Sequence, residues 1–224
     1  MCGRYYIDTE EENVKTRAIL AELQRRRLPM YGQVKGGEIY PSQVAPVILM
    51  EEDVGVTVRP MKWGFPRVGG GGLVINSRSE KADVTPMFMR AVRERRCLVP
   101  ASWFFEWRRV AGRKTKDKFA FSLERAEPGG LMYLAGVYGQ FLGGYEGGGY
   151  DGFAILTREA DGQMRPYHDR MPVILPDESL KKAWLDTAVD FAALRAALMP
   201  PALAVRPVAP DAPRAAKEEK KATE

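Results

Sequence analysis

The sequence predicts an α+β protein in which a curved, barrel-like and mainly antiparallel β-sheet carries flanking helices. Seven short segments rich in β-branched or aromatic residues are bounded by turn formers, and only four segments have helical patterning. Strands and helices do not alternate, which disfavours a doubly wound parallel sheet. With 224 residues and 45% hydrophobic content, the chain fits one domain with a single core.

The predicted helices begin with Thr9–Leu28, where Thr9 and Glu12 fit a capping box and Pro29 ends the helix. Three further helices are predicted at 85–95, 177–185 and 190–198. The predicted strands lie at 41–50, 55–65, 95–107, 118–123, 131–141, 152–157 and 171–176.

The domain is predicted to span residues 2–206. Beyond Pro207 the chain consists of Pro, Ala and alternating charges with almost no large apolar side chains. Such a composition does not bury enough apolar surface to fold, so we expect a disordered, charged tail at 207–224.

Composition excludes several classes of protein. Two cysteines are too few for a disulfide framework, and one histidine in the whole chain argues against a zinc hydrolase, so no metal and no cofactor are expected. No apolar run approaches the length of a membrane span, and the first residues lack the pattern of a secretion signal. We therefore expect a cytoplasmic protein that does not bind membranes.

The net charge of +5 is unevenly distributed. Between Met87 and Lys118 there are ten Lys or Arg residues against three Asp or Glu residues. Such a stretch is compatible with a solvated face of the protein or with a surface that binds the phosphates of a nucleic acid.

Glu106 is the first candidate for chemistry because it lies among four aromatic residues in WFFEW. A carboxylate desolvated by aromatic neighbours has a raised pKa, which suits proton transfer near neutral pH. Strand alternation allows the opposite interpretation, in which Glu106 points to solvent between two core residues.

Two polar clusters are further candidates. The sole histidine, His168, lies beside Asp169 and Arg170 just before an apolar strand, which fits either a structural histidine or a site at a strand edge. In INSRSE, a strand places Asn76, Arg78 and Glu80 on one face, which is either solvated or lines a polar pocket.

The amino-terminal segment MCGR holds the most unusual candidate. Once Met1 is removed, Cys2 carries a thiol and an α-amine on adjacent carbons. An α-amine has a pKa of about 7.7–8.0, so a useful fraction is neutral and nucleophilic at physiological pH.

Five segments together resemble one known family. MCGR, MKWGFP, INSRSE, RRCLVPASWFFEW and HDRMPVIL occur in this order. They resemble the SOS response-associated peptidase (SRAP) family, whose members recognise abasic sites in single-stranded DNA. The resemblance extends from Cys2 to about Trp184 and implies a SRAP-like fold.

The resemblance also implies roles for individual residues. Cys2, exposed by removal of Met1, forms an imine and then a thiazolidine with the ring-opened abasic sugar. Asn76 orients Cys2 or the substrate, Glu106 transfers protons during imine formation and crosslink reversal, and His168 promotes sugar ring opening. The remaining residues contact DNA: Arg4, Arg78 and Arg170 bind flanking phosphates, and Trp63 and Pro41 shape the pocket.

The expected function is therefore covalent trapping of abasic sites in single-stranded DNA during the DNA damage response. Weak abasic lyase activity and self-cleavage of Met1 accompany it, and a monomer is expected. Two alternatives stay open: a non-covalent single-strand-binding module and an N-terminal-nucleophile peptidase.

Many relatives place Pro-x-Trp after the Trp-Gly motif, whereas this chain has Pro66, Arg67, Val68 and four glycines. We therefore expect binding to depend more on charge than on an aromatic wedge.

Overall fold

Fifteen strands, four α-helices and one 3₁₀ turn make up the described part of the chain. A computed structural model describes residues 2–10, 13–34, 36–125, 130–142 and 149–209. The strands are β1 Tyr5–Ile7, β2 Gly37–Ile39, β3 Val44–Glu51, β4 Gly55–Trp63, β5 Phe65–Pro66, β6 Leu73–Val74, β7 Asn76–Arg78, β8 Arg96–Ala101, β9 Trp103–Arg109, β10 Lys116–Leu123, β11 Met132–Phe141, β12 Tyr150–Glu159, β13 Arg170–Pro172, β14 Ile174–Leu175 and β15 Leu203–Val208. The helices are α1 Val14–Arg26, α2 Ala91–Glu94, α3 Glu178–Leu185 and α4 Phe191–Ala197, with the 3₁₀ turn at Tyr31–Gln33.

The strands form two large sheets. One has the order β15-β10-β9-β1-β2 and is antiparallel throughout. In the other, β12, β4, β3, β8 and β11 close into a ring because β11 also pairs with β12, while β13, β14 and β7 lie outside the ring. Among the described strands, only the pairings of β12 with β4 and with β7 are parallel. The prediction of a mainly antiparallel α+β fold is confirmed.

The main core lies between the two sheets and reaches the amino-terminal residues. Trp63 is fully buried there, with its ring edge-on to Tyr5 at 5.1 Å and stacked on Phe153 at 6.2 Å. Cys2 and Cys97 belong to the same cluster and are also fully buried. Aromatic packing of this kind stabilises the region that borders the candidate site.

The helices α3 and α4 cover the outer face of the closed ring. Each begins at an aspartate, Asp177 or Asp190, whose side chain accepts a hydrogen bond from a first-turn backbone N–H. Trp184 on α3 is fully buried and donates its indole N–H to the Cys97 carbonyl at 3.0 Å.

The segment 95–107 differs from its prediction as a single strand. It forms β8 and β9, which belong to different sheets, because the chain changes sheets at Ser102. Ser102 N–H donates to the Tyr6 carbonyl at 2.8 Å, and the Ser102 hydroxyl accepts from Asp8 N–H at 2.9 Å. This corner brings the second half of the segment beside β1.

Two predicted helices are shorter in the structure. The helix α1 begins at Val14 with Asn13 as its cap, 3.1 Å from Thr16 N–H, while Glu12 of the predicted capping box lies outside the described residues. Of 85–95, only α2 is α-helical, and the preceding residues form turns.

Four strands, β1, β2, β6 and β15, were not predicted. The predicted domain boundary at 206/207 falls within β15, whereas 210–224, most of the predicted tail, lie outside the described residues. None of the helices in the described ranges is long and apolar enough to cross a membrane, which takes about 20 residues.

Arg96 ties the helical layer to the sheet. Its side chain is 3% exposed and donates to the carbonyls of Val92, Asp186 and Val189 at 2.6, 3.1 and 2.9 Å. We expect Arg96→Met to lower the free energy of unfolding by about 3 kcal/mol, because buried carbonyls lose their donors. Chemical denaturation measures this loss.

The matched control is Arg90→Met. Arg90 is exposed and pairs with Glu94 one turn away, so its loss is expected to change stability by about 0.5 kcal/mol or less. Equal effects of the two substitutions would contradict a structural role for the Arg96 contacts.

Candidate active site

Cys2 is placed by the pairing of β1 with β9. Tyr5 lies opposite Phe104, and Phe105 N–H donates to the Arg4 carbonyl at 2.9 Å, so the residues before β1 run along β9 toward Glu106. The Cys2 thiol is fully buried, and burial together with the nearby Glu106 carboxylate raises its pKa well above the ordinary range. The thiol is therefore neutral at physiological pH.

Asn76 holds the backbone of Cys2. Its side-chain N–H donates to the Cys2 carbonyl at 2.8 Å, which fixes the orientation of the amide because a carbonyl only accepts. Asn76 lies opposite Ile155 in the parallel pairing of β7 with β12, which places this amide beside β12. The other amide atom, Oδ1, is buried and has no hydrogen-bond partner among the described residues. It can accept one more donor.

Glu106 points into the protein and is 3% exposed, which excludes the solvent-facing interpretation. Burial raises the pKa of its carboxyl, and the charge of Lys116 opposes this weakly. The sequence argument for a desolvated carboxylate therefore agrees with the geometry. Such a group can donate and accept protons near neutral pH.

Aromatic contacts join the segment just before His168 to the strand pair that carries Glu106. Phe119 pairs with Glu106 across the β9–β10 hairpin, and its ring contacts that of Tyr167 edge-on at 4.7 Å. Lys116 is close enough to lower the pKa of both Glu106 and His168. The structure thus gathers Cys2, Asn76, Glu106 and His168 in one region.

The protonation state of His168 follows from its contacts. Burial lowers its pKa, with the neighbouring Asp169 carboxylate acting in the opposite direction, so the ring is mainly neutral at pH 7. Nδ1 lies 2.9 Å from the backbone nitrogen of Arg170 and 2.7 Å from the Asp169 carboxylate. The first contact requires a bare Nδ1 and the second a protonated Nδ1, so either tautomer of the neutral ring finds a partner here.

Arg4 belongs to a polar cluster around Glu38. Arg4 and Tyr40 donate to the Glu38 carboxylate at 3.3 and 2.7 Å, and the buried Lys118 donates to its other oxygen. The Arg4 guanidinium also lies over the rings of Tyr40 and Trp107, at 4.3 and 4.8 Å. These contacts hold a cation beside the first residues of the chain.

Arg170 and Arg78 have different surroundings. The Arg170 guanidinium is buried, makes a two-pronged ion pair with Glu80 at 2.8 Å for both bonds, and donates to the Thr157 carbonyl at 2.7 Å. Burial opposes ionisation of Glu80, but the Arg170 hydrogen bonds prevail and lower its pKa. Arg78 is exposed and has no ion-pair partner in the described ranges.

Trp63 and Pro41 meet at one turn. Ser42, which follows Pro41, has a left-handed φ of 74° and donates its N–H to the Trp63 carbonyl at 2.9 Å. Trp63 returns a bond from its own N–H to the Gln43 carbonyl at 2.8 Å. The tryptophan ring is fully buried, so it supports the site through packing and is not on the surface.

Sequence reasoning missed two members of this region, Glu38 and Lys116, and placed a third, Glu80, wrongly. Glu38 and Lys116 had no distinguishing local pattern. Glu80 stood in INSRSE, but β7 ends at Arg78, so Glu80 leaves the shared strand face and pairs with Arg170 instead. Among the described residues no group of three or more His, Cys, Asp or Glu side chains is arranged to hold a metal ion.

Comparisons with known proteins agree on one family. A family model described as SOS response associated peptidase (SRAP) matches residues 1–212. The chain is 28% identical over 196 residues to the abasic site processing protein YoqW of Bacillus subtilis, covering 83% of this chain and 80% of that protein. It is 28% identical over 187 residues to the abasic site processing protein YedK of Escherichia coli, covering 83% and 79%.

A crystal structure of a protein from Bacteroides thetaiotaomicron has the same fold. It superposes with a TM-score of 0.70 at 20% identity, covering 93% of this chain and 92% of that one.

Burial of Glu106 predicts a measurable effect on stability. Because its pKa is raised on folding, the carboxyl contributes stability below its ordinary pKa and loses that contribution as pH rises through the raised value. We expect Glu106→Gln to be more stable than wild type at pH 8. The gain is about 1.4 kcal/mol for each unit by which folding raises the pKa of the Glu106 carboxyl, and it disappears near pH 4.

The control for this measurement is Glu52→Gln at an exposed position. Thermal unfolding from pH 4 to pH 8 compares the three proteins. An advantage of Glu106→Gln that is constant with pH, or equal to that of Glu52→Gln, would contradict the burial argument.

Proposed function

Because the chain belongs to the SOS response associated peptidase (SRAP) family, we propose that it processes abasic sites in single-stranded DNA by trapping them covalently on Cys2. The relatives named abasic site processing proteins support the substrate. The observation that carries the chemistry is the contact of Asn76 with the Cys2 carbonyl, which holds Cys2 beside the buried Glu106.

The first step forms an imine. Removal of Met1 frees the Cys2 α-amine, whose ordinary pKa of about 7.7–8.0 leaves a useful neutral fraction. The amine adds to the C1′ aldehyde of the ring-opened abasic sugar and gives a carbinolamine. One proton from the protein reaches the hydroxyl, which leaves as water, and a protonated imine remains.

The second step closes a ring. The Cys2 sulfur adds to C1′ of the protonated imine while the thiol proton returns to the protein, so the overall reaction is aldehyde plus aminothiol to thiazolidine plus water. Because amine and thiol are on adjacent carbons, ring closure is intramolecular and has little entropic cost. The neutral, buried thiol requires a base that takes its proton as the carbon–sulfur bond forms.

Glu106 suits both proton transfers. Because burial raises its pKa, the Glu106 carboxyl holds a proton more readily than an exposed glutamate and can protonate the leaving hydroxyl of the carbinolamine. The carboxylate that results can then accept the thiol proton. The same group, acting in reverse, protonates sulfur and reopens the ring, which makes the crosslink reversible.

His168 suits the opening of the sugar. An abasic deoxyribose is mostly a cyclic hemiacetal, and releasing the aldehyde requires a proton on the ring oxygen. In this proposal an N–H of the His168 imidazole donates to that oxygen. Asn76 Oδ1, buried with its accepting capacity unused in the described structure, suits the α-amine or a sugar hydroxyl.

The arginines suit binding of flanking phosphates, which gives affinity without sequence preference. Arg78 is exposed, and Arg4 is held over two aromatic rings. A phosphate contact by Arg170 requires an exchange of Glu80 for phosphate, because its guanidinium is committed to Glu80 and Thr157.

The imine can also undergo β-elimination, so weak abasic lyase activity is part of the proposal.

Cys2→Ala tests the trapping chemistry directly. Protein whose Met1 removal is verified by mass spectrometry is incubated with single-stranded oligonucleotides with and without one abasic site, then run on a denaturing gel. We expect an adduct with the abasic strand only, and complete loss of the adduct in Cys2→Ala because both nucleophiles act through that residue.

Cys97→Ala is the matched control. Cys97 is also fully buried in the same core, but it lies on β8 and contributes no α-amine. Its variant is expected to form the adduct. Absence of an adduct from verified wild type, or binding that ignores the missing base and is unaffected by Cys2→Ala, would favour the non-covalent binding module.

His168→Gln tests ring opening. We expect the variant to trap a natural abasic site about 10²-fold more slowly, a typical contribution of general acid catalysis. An oligonucleotide whose aldehyde sugar lacks the 4′-hydroxyl cannot form the hemiacetal and needs no ring opening. Wild type and variant should trap this analogue at similar rates, and an equal slowing on both substrates would contradict the assigned role.

A further inference from the structure

The β9–β10 hairpin, residues 107–118, concentrates positive charge beside the candidate site. It contains six basic residues and one acidic residue, Asp117. Asp117 pairs closely with Arg113 at 2.6 Å and more distantly with Arg108 at 3.6 Å. Lys118 is buried and bound to Glu38, so it serves the interior of the protein.

Three cations at the end of this hairpin are available to a ligand. Arg109, Lys114 and Lys116 are exposed and make no ion pair or side-chain hydrogen bond within the described structure. Arg109 and Lys116 lie directly opposite each other in the strand register and so project from the same face. The turn between the strands carries Lys114.

This group of cations adjoins the region that would hold the lesion. The charge of Lys116 acts on both Glu106 and His168. On the face of β9 that carries Glu106, the Arg108 guanidinium lies over the rings of Phe119 and Tyr167 at 4.8 and 5.7 Å. Tyr167 directly precedes His168, so Arg108 adds a positive charge near the site on the Glu106 face, whereas Arg109 and Lys116 project from the other face of the hairpin.

The other half of the basic stretch has different surroundings. In 87–118, Arg96 is buried and binds backbone carbonyls, and Arg90 pairs with Glu94. Charges committed in this way are poor phosphate ligands. Arg93 and Arg95 make no ion pair in the described ranges, so three of the five uncommitted cations of the stretch, Arg109, Lys114 and Lys116, lie on the hairpin.

We propose that the β9–β10 hairpin is a phosphate-binding surface, through Arg109, Lys114 and Lys116, for the single strand that flanks the abasic nucleotide. The inference rests on the proposed function for the identity of the strand. It assigns a binding role to residues outside the set formed by Arg4, Arg78 and Arg170. Because phosphates are its ligands, the surface accepts any sequence.

The test measures equilibrium binding of a fluorescent single strand that contains no abasic site, over a series of salt concentrations. Each phosphate contact contributes about 0.7 to the slope of log K against log salt for single strands. In the combined variant Arg109→Gln, Lys114→Gln and Lys116→Gln, we expect a slope shallower by about 2 and binding at low salt weaker by about tenfold or more. Arg108 is left in place because it packs on Tyr167.

A variant with the same change of net charge controls for long-range attraction. Lys15→Gln, Arg93→Gln and Lys182→Gln remove three exposed cations on helices outside the hairpin. Its slope is expected to match that of wild type. Equal slopes and affinities in the two triple variants would overturn the inference.

The two proposals fail in different ways. The intact strand carries no aldehyde, so its binding reports on the hairpin alone. A wild type that forms no adduct with abasic DNA sinks covalent trapping, yet the salt slopes still decide whether the hairpin binds phosphates. Trapping that depends on Cys2, together with identical slopes in both triple variants, removes the hairpin surface and leaves the trap.

Discussion

The candidate site depends on the pairing of β1 with β9. A three-residue strand and one further bond to the Arg4 carbonyl hold the first residues of the chain along β9. This pairing buries a thiol and a carboxyl next to each other, which disfavours ionisation of both. Burial of two acids is unfavourable for stability at neutral pH, and it supplies the neutral thiol and the carboxyl of raised pKa that the proposed chemistry uses.

The other residues of the site come from distant parts of the chain and are joined by polar contacts. Glu80 and Arg170 connect the segment that carries Asn76 to the segment that carries His168. Glu38 connects Arg4 at the amino terminus to Lys118 on the hairpin. Glu38 binds cations from two different elements, and the Glu80–Arg170 pair joins segments that are far apart in sequence. The positions of the site residues are therefore coupled through ion pairs.

Local patterns predicted the fold class well because strands and caps have short-range signals. The aspartates that begin α3 and α4 and the aromatic runs of β9 to β12 are examples. Burial of Glu106 was left open, since alternation alone does not say which face of a strand is covered. The short strands β1 and β2 and the division of 95–107 between two sheets depend on tertiary pairing, which no local window contains. The resemblance named the reacting residues, but the roles of Glu38 and Lys116 and the pairing of Glu80 with Arg170 required coordinates.

The burial of both cysteines has a consequence for redox chemistry. Peroxides and disulfides react with thiolates, and neither Cys2 nor Cys97 ionises readily, because burial raises both pKa values well above the ordinary range. A sulfur kept as a neutral thiol oxidises slowly to sulfenic acid. The fold thus protects its proposed nucleophile from irreversible oxidation while leaving it reactive toward an imine that has already formed on the adjacent nitrogen.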